Sequence, residues 1–214
     1  MDKPNFIFGY GSLVDIENLK KYFGRDLTPS LDFIYCGLKD FHRCWNIAMN
    51  NSVDLPDYKY YIDQQTGNRP EGFVTFLNIR PCPGDNVTGI LFRVSDQELQ
   101  RLDKRERNYR RIDVTHLIDT PIQGQAWVYI GLDEAEKRYQ KGLKQNTAMV
   151  SQNYFDSVYN AYLSLGNEAL SNYFATTDEL RVPIFNLEMR IVVDTPHLLK
   201  SVRLNGKQHQ DFTE

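Results

Sequence analysis

No apolar run in the 214-residue sequence approaches the roughly 18 residues that a membrane-crossing helix requires. The opening Met1-Asp2-Lys3-Pro4 lacks the basic and apolar stretch of a secretory signal, so neither a membrane partner nor export by that route is expected. Charge of one sign is not in excess: the formal net charge is -3, which gives no field to attract nucleic acid. Cysteine is scarce. Cys36, Cys44 and Cys82 form an odd set with no C-x-x-C spacing, which argues against a disulfide framework and fits reduced thiols in the cytoplasm. The four histidines, His42, His116, His197 and His209, have no ligand-like spacing, so neither a metal nor another cofactor is expected. Gly9-Tyr10-Gly11 lacks the third glycine of G-x-G-x-x-G, and no P-loop lysine follows it. No G-x-S-x-G surrounds Ser12, so the elbow of a serine hydrolase is missing. Internal repeats and low-complexity tracts are absent as well.

The rest of the composition is ordinary for a globular chain, with 41% hydrophobic and 25% charged residues. This length holds one sizeable core without requiring a second domain. The reading is a single domain over residues 1–204, with a core at 5–131, a C-terminal extension at 132–204 and a frayed tail at 205–214. Runs of β-branched and aromatic residues between turn signals predict strands at 31–36, 38–48, 72–79, 87–94, 109–118 and 126–130. A further strand return is expected within 184–203. Helical spacing predicts helices at 14–24, from Ser95 to about Arg105, at 151–165 and from Asn167 to Phe174. The polar stretch 50–70 reads as a long loop, 81–85 as a turn, and the charged stretch 133–145 as a surface segment. In the run Ala126 to Ile130, apolar residues fall on both faces, which suits a closed or covered sheet. The expected fold class is α+β: a small mixed β-barrel of five to six strands flanked by helices, with a helical C-terminal extension.

Two features carry chemistry. The first is Phe8-Gly9-Tyr10-Gly11-Ser12-Leu13, where a buried strand breaks into a glycine-rich turn ahead of a helix. Bare backbone N–H groups there can hold a carboxylate or phosphate, or the turn can be a mere tight connection. Ser12 can add a hydroxyl donor or cap the helix. The second is Glu106. A capping box, Ser95-Asp96-Gln97-Glu98, opens a helix on which Leu99, Leu102 and Glu106 are spaced three and then four apart. That spacing aims Glu106 along the apolar face, toward the core. A buried carboxylate is costly unless paired or protonated, and one held near a substrate can take up and return a proton. Within Lys104-Arg105-Glu106-Arg107 it can equally be a solvated charge or the partner of Arg105, Arg110 or Arg111.

Together these features resemble the γ-glutamylcyclotransferase-like superfamily. Its opening Y-G-S-L is matched by Tyr10-Gly11-Ser12-Leu13, and its glutamate before a tyrosine-bearing strand by Glu106 and Tyr109. Gly37 to Arg43 and Val87 to Phe92 resemble two of its other strands. Arg105-Glu106 followed by Tyr109 is nearest to the ChaC-like, glutathione-acting branch, with a spacing one residue shorter and without that branch's S-x-x-H-R-G-T-P-type stretch. The resemblance implies an enzyme, of acyltransferase or lyase type, that cyclises a γ-glutamyl amide (peptide, amino acid or amine) to 5-oxoproline and releases the amine. It implies Glu106 as the catalytic acid and base, and Tyr10, Gly11, Ser12, Leu13, Tyr109 and Tyr129 as substrate-binding. The alternative is a non-catalytic γ-glutamyl or small-anion binding module of the same fold.

Overall fold

A computed structural model describes residues 3–193. Within them the elements run β1 (Asn5–Gly9), α1 (Ile16–Phe23), β2 (Phe33–Asn50), β3 (Lys59–Asp63), β4 (Phe73–Val94), α2 (Asp96–Arg105), β5 (Tyr109–Asp113), β6 (Gln125–Gly131), α3 (Asp133–Gln145), β7 (Ala148–Ser151), α4 (Gln152–Ser164), α5 (Asn167–Ala175), β8 (Ile184–Phe185) and β9 (Leu187–Ile191). The far part of the strand return expected at 184–203 and the tail at 205–214 lie outside the described residues. No helix among the described residues is long and apolar enough to cross a membrane.

One mixed sheet of seven strands organises the molecule, and β4 is its spine. β4 pairs antiparallel with β2 from Asn50↔Phe73 to Phe33↔Phe92, and antiparallel with β1. β1 pairs parallel with β6, which pairs antiparallel with β5. Beyond β5, Ile118 bridges back to Leu38 on β2, and the Asp119 N–H donates to the Gly37 carbonyl at 3.0 Å. The set β2-β4-β1-β6-β5 therefore curls until its two edges meet, and this is the barrel-like core of an α+β fold. Residues such as Ile7, Phe8, Ile90, Phe92 and Val128 are buried on both faces of it. β7 and β8 extend the sheet beside the other half of β4.

Four local expectations change. The turn at 81–85 is a bulge inside one long strand. β2 bulges opposite it at Asp40, whose carboxylate accepts the Gly84 N–H at 2.9 Å, so the ladder resumes and the chain keeps its direction. Pro81 and Pro83 are tolerated there because a bulge spares their missing N–H groups. The stretch 50–70 is not all loop, since β3 pairs with β9 in a separate two-stranded ribbon. The segment 133–145 is helix α3, with Ala135, Tyr139 and Gly142 on its buried side. The strand expected over 109–118 ends at Asp113 and passes into a single 3-10 turn.

Candidate active site

β1 ends at Gly9 because the next turn folds back onto it. A side chain at Gly9 would lie 2.5 Å from the Leu13 carbonyl oxygen, and one at Gly89 would lie 2.1 Å from the Gly9 carbonyl oxygen. The chain then makes one 3-10 turn, Ser12–Val14, before α1. α1 is capped by Asp15, whose Oδ1 accepts the Asn18 N–H at 3.0 Å. The turn thus does not run directly into the N-terminus of α1, and Ser12 does not cap that helix. What forms is a loop of unclaimed donors. The Val14 and Asp15 N–H groups bond to the Gly11 and Ser12 carbonyls at 2.9 and 3.4 Å, whereas those of Gly11, Ser12 and Leu13 meet no backbone acceptor among the described residues.

Glu106 is set by α2. The capping box forms at Ser95 and Glu98, and Leu99 and Leu102 are buried. Glu106 is the C-terminal cap: its N–H donates to the Leu102 carbonyl and its carbonyl accepts from the Tyr109 N–H, each at 2.9 Å. This folds the carboxylate in beside β5. Its side chain is 16% exposed and lies 3.3 Å from Arg105 Nε. The inward aim and the Arg105 pairing therefore coexist.

The loop and the carboxylate meet in one place. Tyr10, Gly11, Ser12, Leu13, Glu106, Tyr109 and Tyr129 line a single inner cavity of about 30 Å³, together with Phe8, Leu77 and Tyr154. That volume holds about one small polar group. Ser12, Glu106, Tyr109 and Tyr154 also line an outer cleft of about 550 Å³, whose remaining walls include Tyr22, Tyr58, Lys59, Phe76, Arg105 and Met189. Glu106 thus stands at the boundary between a small niche and a ligand-sized groove.

The tyrosine hydroxyls are committed to the protein. Tyr10 donates to the Tyr129 carbonyl at 2.8 Å, Tyr109 to the Leu77 carbonyl at 2.7 Å, and Tyr129 to Asp103 at 2.7 Å. Burial pushes all three phenols above their ordinary range, and the Glu106 carboxylate adds to this. They stay neutral and give the niche rigid walls. Tyr154 was not singled out by sequence reasoning, because its spacing on α4 reads only as apolar packing. Its hydroxyl accepts the Leu77 N–H at 3.3 Å and lies 3.3 Å from where a Gly11 side chain would begin.

Arg43 supports the loop from below. It is wholly buried on β2 and has no carboxylate partner among the described residues. Its Nε donates to the Tyr10 carbonyl at 3.0 Å and its Nη2 to the Thr88 carbonyl at 2.7 Å. Its Nη1 donates to the Thr176 and Thr177 hydroxyls at 3.1 and 3.0 Å. The rings of Tyr162 and Tyr173 cover the guanidinium at 5.1 and 4.9 Å. The Tyr162 hydroxyl lies 3.0 Å from the Tyr10 carbonyl and can donate to it. That hydroxyl has a single proton and also lies 2.9 Å from the Thr88 carbonyl, so the charged Arg43 Nε is the constant donor that polarises the Tyr10–Gly11 peptide and strengthens the Gly11 N–H.

The sequence profile of the gamma-glutamyl cyclotransferase, AIG2-like family matches residues 33–149, more than half of the chain. The chain belongs to that family. The match runs from β2 into β7 and includes Glu106, Tyr109 and Tyr129, while the loop at 10–13 precedes it. A solved structure described as a gamma-glutamyl cyclotransferase shares the fold, with a TM-score of 0.51 at 14% identity over 93% of this chain and 99% of its own. A human protein described as uncharacterized gives a TM-score of 0.50 at 15% identity over the same shares. No curated protein matches the chain by sequence.

In this gamma-glutamyl cyclotransferase-like protein no thiol lines the niche or the cleft. Burial pushes the Cys36 and Cys44 thiols up to about 12, so neither forms a thiolate near neutral pH. Titration of the native protein with an aromatic disulfide reagent is therefore expected to reveal at most one rapidly reacting thiol, Cys82, and all three after unfolding. Rapid reaction of two or more native thiols would contradict that burial. No group of histidine, cysteine and acidic side chains among the described residues is arranged to hold a metal.

Proposed function

We propose that this protein cyclises a γ-glutamyl amide to 5-oxoproline and releases the amine. The observation that carries the reading is the inner niche, which is lined by both Glu106 and the residues Gly11, Ser12 and Leu13, whose N–H groups meet no backbone acceptor among the described residues. Those two features complement the zwitterionic end of a γ-glutamyl group. The substrate carboxylate accepts from the loop N–H groups, and its ammonium faces Glu106. The family membership and the common fold favour the same chemistry.

The reaction needs no protein nucleophile. The substrate's α-amine attacks its own γ-carbonyl carbon, forming one C–N bond as the amide C–N bond breaks. Holding amine and carbonyl together gives an effective molarity on the order of 10⁵ M or more when the two are well oriented. Glu106 takes a proton from the ammonium, which frees the nucleophile, and gives it to the departing nitrogen. The second proton, shed by the attacking nitrogen as the ring closes, passes to Glu106 and leaves with the released amine as its ammonium. No water is consumed. The niche admits the carboxylate alone, and the cleft that opens at Glu106 receives the rest of the substrate and its leaving half.

Purified protein should therefore form 5-oxoproline from at least one of glutathione, a γ-glutamyl amino acid and γ-glutamyl-ε-lysine. Binding of these amides, measured by calorimetry, without any 5-oxoproline would replace the enzyme reading by the binding module.

A further inference from the structure

The outer cleft contains a cation that the chemistry above does not use. Lys59 opens β3, inside the stretch that sequence reasoning assigned to a loop. Its Nζ lies 3.9 Å from the centre of the Phe76 ring and 6.0 Å from that of Tyr58. It forms no ion pair and no side-chain hydrogen bond with any described residue, and burial lowers its pKa to about 8. The neighbouring Arg105 is already paired with Glu106 and lies over the Tyr22 ring at 5.0 Å. Lys104 stands exposed at the rim. Lys59 is thus a half-buried cation with no ion pair among the described residues, its charge favoured only at longer range by Glu106, in the groove that begins at that carboxylate.

We propose that Lys59 binds a carboxylate on the departing half of the substrate, so that the cleft selects γ-glutamyl amino acids and peptides over γ-glutamyl amines. This rests on the cyclotransferase reading. With only the substrate carboxylate in the niche and the rest of the head group at its mouth beside Glu106, the substituent on the scissile nitrogen extends along the cleft toward Lys59. An anion there supplies the missing partner to an ammonium held against aromatic walls. A charge-assisted contact of this kind gains more than a solvated lysine would give. An uncharged amine substituent leaves Lys59 unpaired, and a cationic one meets repulsion.

γ-Glutamyl-alanine and γ-glutamyl-ethylamide differ only in the carboxylate, so their kcat/KM values isolate it. The wild-type protein should prefer γ-glutamyl-alanine by about 10- to 100-fold, mainly through KM. In Lys59→Met the ratio should fall to within about threefold of one, and Lys59→Arg should keep part of the preference. A wild-type ratio near one, or an equal loss on both substrates in Lys59→Met, overturns the proposal. Failure of the wild-type protein to cyclise either amide is a different result, and strikes the cyclotransferase reading beneath it.

Discussion

Glu106→Gln should lower kcat for 5-oxoproline formation by about 10² to 10⁴, the range that a positioned general acid and base contributes. Glutamine keeps the shape and can still accept one hydrogen bond, but it cannot carry a proton between two nitrogens. The fold should survive. The Arg105 pairing that the change removes is partly solvated, and such pairs contribute about 0–1 kcal/mol. Leu99, Leu102 and the Ser95 cap, which set α2, are untouched. The loss should lie in kcat more than in KM, because the loop N–H groups still hold the substrate carboxylate. A folded Gln variant with full kcat would remove Glu106 from the mechanism.

Arg43→Met should be the most damaging single change to stability, costing about 3–5 kcal/mol, as when a buried charged network loses its hub. Methionine fills much of the volume but donates nothing. The Tyr10, Thr88 and Tyr173 carbonyls and two threonine hydroxyls would each lose a donor in a site closed to water, and the Tyr162 hydroxyl can replace it at only one of them. The strain would fall on the niche, since the Tyr10 carbonyl belongs to the loop. Urea unfolding measures the effect, and a loss under about 1 kcal/mol would mean that the neighbours satisfy themselves without the guanidinium.

Much of this site is legible in the sequence because its signals are local. A glycine pair after an apolar strand, and a glutamate in helical register with Leu99 and Leu102 behind a capping box, are read within a few residues. Their meeting in one cavity is a long-range fact, produced by β1 lying between β4 and β6. The sequence gives no sign of Lys59, because β3 becomes a strand only by pairing with β9 more than a hundred residues later. Arg43 is hidden for a related reason. An arginine on a strand reads as surface charge until two helices and a loop enclose it. The bulge at 81–85 misleads for the opposite reason: its prolines and glycine are strong local turn signals, overruled by the pairing with β2 on either side.

The most direct test is to run the reaction in oxygen-18 water with a γ-glutamyl amino acid and to analyse both products by mass spectrometry. Attack by the substrate's own amine predicts unlabelled 5-oxoproline and free amino acid in equal amounts, with no glutamate. Glutamate carrying one solvent oxygen would mean that water is the nucleophile, and would contradict the intramolecular cyclisation on which the role of the Gly11–Leu13 loop and Glu106 depends.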